Sequence, residues 1–140
     1  MPQQAAPESA PALWGDVVPK ASELGLAALH GSTPNVGIAG YTLGGGVGFY
    51  HRKHGLACNR VTAIELVTAD GEQIRVDAEN EPDLFWALRG GGGSFGVVTA
   101  LEFDLLPLPE ILAGALLTLP NRRARFCRGG ANGSRECQRR

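Results

Sequence analysis

Four consecutive glycines, Gly90–Gly93, restrict what this chain can fold into more than any other feature of its sequence. They stand between an apolar stretch of helical character, DLFWALR, and a β-branched run, VVTALEF. Glycine inside a helix or strand is costly because it loses the most backbone freedom on folding. The four glycines therefore predict a sharp change of chain direction or a place where the backbone itself contacts a ligand.

A second glycine-dense stretch, residues 30–48, has the sequence HGSTPNVGIAGYTLGGGVG. The 20 glycines of the chain are about twice the usual share, and regular apolar segments separate them, so they do not form a low-complexity linker. Two such clusters favour a planar or phosphorylated ligand that lies against main-chain N–H groups. Tight turns with close packing of the neighbouring elements are the alternative.

A β-hairpin is the clearest local pattern. Residues 61–78 alternate apolar and polar positions, and Asp70-Gly71 predicts a two-residue type I′ turn between the strands. Residues 95–109 predict a further strand that ends at prolines, and residues 111–119 predict another. Helices and hairpin strands without a regular βαβ alternation indicate an α+β fold.

The sequence also predicts three helical segments, each bounded by a residue that can cap it. They are Val17–Leu24 between Asp16 and Gly25, one short turn closed by Gly55, and residues 80–90 capped by Asn80 and ended by Gly90. We expect Leu84, Phe85, Trp86 and Leu88 to supply the buried surface of the third.

The glycines do not form a nucleotide site of the common kinds. Gly91, Gly93 and Gly96 satisfy G-x-G-x-x-G, but that motif must follow a strand and open a helix. Here the glycines follow a helix and open a strand. The chain contains no G-x-x-x-x-G-K-[ST] either, so a P-loop is excluded.

Metal and nucleophile signals are weak. His51, His54 and Cys58 form H-x-x-H-x-x-x-C, but Arg52 and Lys53 would oppose a cation there and no fourth ligand is near in sequence. Surface histidines and a small buried thiol are the preferred interpretation, so we expect no metal. The sequence has no G-x-S-x-G nucleophile motif, and we identify no catalytic residue.

The charge is divided sharply along the chain. Residues 1–120 carry 6 Lys/Arg against 13 Asp/Glu, whereas residues 121–140 carry 7 Arg against 1 Glu. An arginine-rich tail can be an arm that binds nucleic acid, or an abnormal C-terminus of irregular structure. We prefer the second, with no nucleic-acid partner, because the acidic region before it would repel a polyanion. Residues 1–12 are expected to be disordered.

Membrane and export signals are not apparent. The sequence has no run of 18 apolar residues and no apolar segment at its N-terminus. Its three cysteines form no even framework and no C-x-x-C pair. We therefore expect reduced thiols, a cytoplasmic location and no membrane partner.

The order of two motifs, GGGVGFYHRKHGL and DLFWALRGGGGSFGVVT, resembles that of the berberine-bridge-enzyme-like FAD-linked oxidases. These belong to the vanillyl-alcohol oxidase/p-cresol methylhydroxylase superfamily. The resemblance covers residues 13–119 and implies an α+β fold, the second half of a p-cresol methylhydroxylase-type FAD-binding domain. FAD is the implied cofactor, held between two subdomains. The resemblance leaves residues 120–140 as an irregular tail.

The resemblance also implies which residues contact FAD. The loop His30–Tyr41 would run along the isoalloxazine and ribityl chain, and the backbone near Val98 would meet the adenine end. The implied cofactor-binding residues are Gly31, Ser32, Thr33, Val36, Gly37, Gly40, Tyr41 and Val98.

Departures from the family pattern limit the function that is implied. Thr33 replaces the cysteine that attaches FAD in some members, so cysteinyl attachment is excluded. Val36 resembles an oxidase more than a dehydrogenase, although a β-branched residue also simply suits an extended segment. The upstream subdomain, the substrate domain and the catalytic base of the family have no counterpart in the sequence.

The implied function is that of an FAD-binding fragment. The complete enzyme would transfer a hydride from an alcohol, sugar or amine carbon to flavin, and then electrons to oxygen. Only a complete homologue would bind the small-molecule substrate. The alternative is a catalytically inactive remnant or a small α+β interaction module.

Overall fold

The structure of the protein, a computed structural model, describes residues 5–9, 12–108, 127–129 and 135–137. The chain divides into two units, residues 1–110 and 111–140. In chain order, the elements of the first unit are β1 (Ala5–Ser9), α1 (Trp14–Glu23), β2 (Leu26–Ala27), α2 (Ile38–Leu43), α3 (His51–His54), β3 (Val61–Val67), β4 (Gln73–Asp77), α4 (Pro82–Gly91), β5 (Val97–Asp104) and β6 (Leu106–Pro107). This mixture of helices with hairpin strands confirms the α+β fold.

One antiparallel sheet with the strand order β1-β5-β3-β4 forms the framework of the first unit. Its outer strand β1 lies in the stretch for which the sequence predicted disorder. Ala5–Ser9 pairs with β5 from Asp104 back to Ala100. A strand edge offers a row of unpaired N–H and C=O groups, and this template orders a segment that has little apolar character of its own.

The predicted hairpin is present, but its turn is not the predicted one. The β3–β4 ladder ends at the pair Val67↔Gln73. The Gly71 N–H donates to the Thr68 carbonyl at 3.0 Å, and the Thr68 N–H donates to the Glu72 carbonyl at 2.9 Å. Among the described residues, Gly71 has a positive φ of 83° and Asp70 does not. The connection is therefore a three-residue loop with a glycine bulge, and the type I′ prediction was wrong.

Helix α1 begins earlier than its sequence pattern predicted. It starts at Trp14, and Asp16, which we expected to be the N-cap, lies inside the first turn. There its carboxylate accepts the Leu13 N–H at 3.1 Å. The first amides of the helix are satisfied by loop carbonyls of Val36 and Pro34, so no capping side chain is required.

Helix α4 corrects two further expectations. The side chain of Asn80 does not cap the helix but donates to Asp77 at 3.2 Å. Trp86 is 75% exposed, whereas Phe85 and Leu88 are buried, because the helix presents one narrow face to the core. The regular helix ends where predicted, since Gly90 has a φ of 124° inside the last turn.

The core lies between the sheet and the helices. Its fully buried side chains include Ile64 and Leu66 of β3, Leu88 of α4 and Leu101 of β5. No helix in the described part of the chain is long and apolar enough to cross a membrane. The strand predicted at residues 111–119 lies outside the described residues. In the second unit, β7 (Cys127–Gly129) pairs antiparallel with β8 (Arg135–Cys137).

A carboxylate cluster stabilises the exposed face of the sheet in a pH-dependent way. Arg75 of β4 forms a two-pronged ion pair with Glu102 of β5, whose second contact measures 3.1 Å. This pair holds the pKa of Glu102 below its usual range. The backbone N–H groups of Asn80 and Glu79, together with the Asn80 side chain, lower the pKa of Asp77.

These lowered pKa values predict a loss of stability in acid. Folding favours the ionised forms of Glu102 and Asp77, so their contribution is present above the ordinary carboxyl pKa and disappears as the pH falls through the lowered values. The free energy of unfolding, measured in urea, should therefore be lower at pH 3 than at pH 7. In the double variant Glu102→Gln/Asp77→Asn it should fall less. An equal fall in both proteins would contradict the assignment.

Candidate functional site

The segment from residue 30 to residue 37 lies across the beginning of α1. Its second half is anchored by main-chain hydrogen bonds, from the Trp14 N–H to the Val36 carbonyl at 3.1 Å and from the Gly15 N–H to the Pro34 carbonyl at 2.9 Å. The Ile38 N–H then donates back to the Ala12 carbonyl at 3.0 Å. The second half of the loop is therefore fixed to the helix by its carbonyl groups.

The first half of the loop leaves its amides available. Within the described residues, the N–H groups of Gly31, Ser32 and Thr33 donate to no main-chain carbonyl. The side chains of Ser32 and Thr33 are exposed. The His30 Nδ1 lies 2.6 Å from the Gly31 carbonyl oxygen. A row of exposed N–H donors without protein partners can bind ligand oxygen or nitrogen atoms.

An open groove of about 280 Å³ runs beside this half of the loop. One wall is α1 and the other is the loop, with the side chain of Phe49, 68% exposed, at the rim. The lining residues are Trp14, Gly15, Val18, Pro19, His30, Gly31, Ser32, Thr33, Pro34 and Phe49. The groove combines apolar walls with loop amides that have no main-chain acceptor in the part of the chain that the structure describes, a combination that suits a planar heteroaromatic ring.

Five glycines of the stretch at residues 30–48 fall into two classes. An added Cβ would meet no atom within 4 Å at Gly37 or Gly40, so their main chain is open to approach. At Gly31, a Cβ would lie 3.0 Å from the Tyr41 ring, and at Gly46 and Gly48 it would overlap neighbouring protein atoms. Internal packing therefore explains the second class, whereas nothing in the described structure requires glycine at the first.

Tyr41 is the centre of that internal packing. Its ring meets Trp14 edge-on, with the centroids 5.7 Å apart. Its hydroxyl is buried and has no hydrogen-bond partner among the described residues. Burial raises the pKa of the phenol. The side chain therefore supports the loop from beneath and does not line the groove.

The four consecutive glycines, Gly90–Gly93, lie in a turn between α4 and β5. Gly90 and Gly92 adopt positive φ values of 124° and 66°, which side-chain-bearing residues rarely adopt. A Cβ on Gly96 would lie 2.6 Å from the Val67 carbonyl oxygen of β3. Gly93 has neither a positive φ nor a close neighbour. The predicted change of chain direction is therefore confirmed, and it explains most of the cluster.

The structure brings the two glycine clusters into one neighbourhood. Helix α2, which follows the loop directly, contacts both the turn at residues 92–95 and β5. Val98 is half-buried in β5, opposite Leu66 of β3. Val36, Tyr41 and Val98 all pack against the main core cluster. Among the predicted cofactor residues, Gly31, Ser32 and Thr33 line the groove, and Gly37 and Gly40 begin α2.

Sequence reasoning named only Gly31, Ser32 and Thr33 among the residues that line the groove, and it assigned no part to the three ring side chains there. Trp14 and Phe49 come from other parts of the chain than the predicted loop, and His30 begins that loop without belonging to the predicted contacts. The His51 Nδ1 lies 2.7 Å from the Gly48 carbonyl, so this histidine caps a turn. In the described part of the chain, no three His, Cys, Asp or Glu side chains are grouped so that they could hold a metal ion.

Comparisons with known proteins agree with the resemblance. Residues 9–77 match the family of FAD binding domains. The (R)-6-hydroxynicotine oxidase of Paenarthrobacter nicotinovorans is 46% identical over 108 residues, which are 76% of this chain and 24% of that protein. The glucooligosaccharide oxidase of Sarocladium strictum is 45% identical over 83 residues, 59% of this chain and 17% of that protein.

Solved structures share the fold. A glucooligosaccharide oxidase from Acremonium strictum superposes with a TM-score of 0.73 at 37% identity, over 79% of this chain and 23% of that one. The 6-hydroxy-D-nicotine oxidase from Arthrobacter nicotinovorans gives 0.70 at 44% identity, over 72% of this chain and 22% of that one. The chain thus spans about a quarter or less of the length of these relatives. It carries part of an FAD-binding domain like that of the FAD-linked oxidases of the vanillyl-alcohol oxidase/p-cresol methylhydroxylase type.

Proposed function

We propose that residues 13–119 form part of an FAD-binding domain and that the loop from His30 to Tyr41 contacts the cofactor. The proposal depends on one observation, namely that the main chain beside the groove is accessible to a ligand. The amides of Gly31, Ser32 and Thr33 have no main-chain acceptor among the described residues, and no described atom lies where a Cβ on Gly37 or Gly40 would be. These features fit a ligand that lies flat against the backbone.

Each predicted residue has a stated part in this proposal. Gly31, Ser32 and Thr33 present amides, and Gly37 and Gly40 admit the cofactor close to the main chain. Val36 and Tyr41 pack beneath the loop and fix its course. Val98 is the proposed contact at the adenine end, and it lies in a strand that α2 also contacts.

The complete enzyme is proposed to oxidise an alcohol, sugar or amine carbon. When bound, FAD supplies the hydride acceptor, and oxygen then takes the electrons. The residues of this chain bind and orient the ring through main-chain groups and exclude water on one side through the apolar groove wall. The proposal names no catalytic residue here, and substrate binding is proposed for a complete homologue.

The form of cofactor attachment also follows from the sequence. One similar structure is described as containing a 6-S-cysteinyl, 8α-N1-histidyl FAD, in a glucooligosaccharide oxidase from Acremonium strictum. The family resemblance puts Thr33 at the position of the attaching cysteine, and a threonine hydroxyl cannot form a thioether. We therefore propose that this loop holds FAD without a covalent cysteinyl bond. The cytoplasmic location and the absence of a nucleic-acid partner stay predictions.

The Gly40→Ala variant tests the proposal because the substitution should stabilise the cofactor-free chain and yet weaken its binding of FAD. Gly40 lies inside α2, and an added methyl group meets no described atom within 4 Å. Alanine should therefore raise the free energy of unfolding of the cofactor-free chain by about 0.5–1 kcal/mol. The same methyl group should weaken FAD binding about tenfold if the cofactor lies against this backbone. Chemical unfolding and quenching of FAD fluorescence measure the two effects.

Gly93→Ala is the matched control, because that position is equally open and is assigned no contact with the cofactor. It should leave FAD affinity unchanged. Unaltered affinity in Gly40→Ala, with wild-type binding intact, would exclude the proposed contact. A wild-type chain that ignores added FAD would exclude cofactor binding by this chain altogether.

The second candidate is an inactive remnant or an interaction module, and exposed apolar side chains favour it. Val47, Phe49, Trp86 and Val97 are each more than three-fifths exposed. Where such groups form one contiguous patch, they mark a surface that another polypeptide covers. A colourless protein that self-associates in sedimentation and binds no FAD would support this candidate. A monomer that binds FAD stoichiometrically would exclude it.

A further inference from the structure

The imidazole of His30 has a defined tautomer. Its Nδ1 lies 2.6 Å from the carbonyl oxygen of Gly31, and a carbonyl can only accept a hydrogen bond. Nδ1 must therefore carry the hydrogen. In the neutral ring, Nε2 is then the unprotonated nitrogen.

The ring and its own main chain are both held in place. The imidazole meets Tyr50 edge-on at 5.8 Å and lies tilted against Trp14 at 6.3 Å. Gly48 approaches the His30 carbonyl so closely that a Cβ there would overlap it. An imidazole fixed on these sides can impose an orientation on the peptide that it contacts, rather than follow it.

That peptide joins Gly31 to Ser32. In a planar trans peptide, the C=O of one residue and the N–H of the next point in opposite directions. A hydrogen bond that fixes the Gly31 carbonyl toward the imidazole therefore fixes the Ser32 N–H on the opposite side. Within the described residues, this N–H donates to no main-chain carbonyl, and Ser32 lines the groove.

We propose that His30 is a positioning residue, whose Nδ1–H orients the Gly31–Ser32 peptide so that the Ser32 N–H is held ready for the cofactor. The inference rests on the proposed function, since it names FAD as the acceptor. His30 acts through the loop and not through a contact of Nε2 with the ligand.

Two variants separate these roles. The side-chain amide nitrogen of asparagine can occupy the place of Nδ1, whereas that of glutamine reaches the place of Nε2. With the full chain and FAD, His30→Asn should keep the dissociation constant within about threefold of wild type, whereas His30→Gln should raise it about tenfold, the value of one hydrogen bond. Equal losses in both variants, or a loss in the asparagine variant alone, would overturn the proposal.

A measurement without FAD decides the geometry independently. In ¹⁵N NMR of the cofactor-free chain, His30 should have a protonated Nδ1 and an unprotonated Nε2. The heteronuclear NOE of the Ser32 amide should fall in His30→Gln and persist in His30→Asn. A protonated Nε2 with a bare Nδ1, or an unaltered NOE in both variants, would refute the positioning role. Failure of wild type to bind FAD, with these signatures present, would instead refute the proposed function.

Discussion

Replacing Gly48 by alanine is expected to lower the free energy of unfolding by about 2–3 kcal/mol. A Cβ at this position would overlap the main-chain carbonyl oxygen of His30 and lie 3.0 Å from the Tyr41 hydroxyl. A side chain can rotate away from such a contact, but a carbonyl moves only with its backbone. The loop from residue 30 to residue 37 must therefore shift, and urea unfolding should report the cost.

Gly37→Ala is the control for this prediction. Gly37 has an ordinary φ of −66°, and an added Cβ meets no described atom within 4 Å. Gly37 is the N-cap of α2, where alanine is less favourable than glycine, so the free energy of unfolding should fall by no more than about 1 kcal/mol. If Gly48→Ala were as stable as Gly37→Ala, the close approach of Gly48 to His30 would not exist in solution.

These two glycines show what the sequence could and could not predict about the site. Both stand in the same glycine-dense stretch, for which the pattern favoured contact with a ligand and left tight turns with close packing as the alternative. The structure separates them, because Gly48 is required by the packing around His30 and Tyr41 while Gly37 is open. That distinction depends on contacts between residues far apart in the sequence, so spacing alone could not make it.

The fold likewise has features that the local sequence predicts and features that depend on distant contacts. The strands of the β3–β4 hairpin were predicted because alternation is a local property, but the Asp70-Gly71 turn was misread. The type I′ conformation requires a positive φ at both central residues, and only Gly71 of the two has one in the structure. Strand β1 was missed because it depends on β5 as a template, and its own composition predicts no strand.

The N-terminal contacts of α1 connect fold and site. Asp16 was expected to cap this helix, but the carbonyl groups of Pro34 and Val36 accept hydrogen bonds from the first amides of the helix. The loop thus stabilises the helix and is itself held by it. One consequence is that hydrogen bonds to α1 anchor the second half of the loop, while the amides of Gly31, Ser32 and Thr33 have no main-chain acceptor among the described residues. A capping motif is visible in sequence, whereas a cap supplied by a distant loop is not.

Replacing Leu88 by alanine is expected to destabilise the chain by about 3–4 kcal/mol. Leu88 is completely buried in the main core cluster, on the face of α4 that carries Phe85. The lost methyl groups remove apolar burial and leave a cavity that the sheet beneath can fill only in part. For a unit of this size, the melting temperature should fall by roughly 10–20 °C, and calorimetry or thermal circular dichroism measures it.

Trp86→Gln provides the contrast on the same helix. Trp86 was predicted to be buried but is 75% exposed, so its loss removes little apolar burial and should change the free energy of unfolding by less than about 0.5 kcal/mol. A large loss at Trp86 with a small one at Leu88 would mean that α4 packs with its opposite face inward. The turn at Gly90 and Gly92 would then start in a different direction, and β5 could not follow it into the sheet beside β3. The position of Val98, and with it the proposed adenine contact, therefore depends on the same helix face as the core.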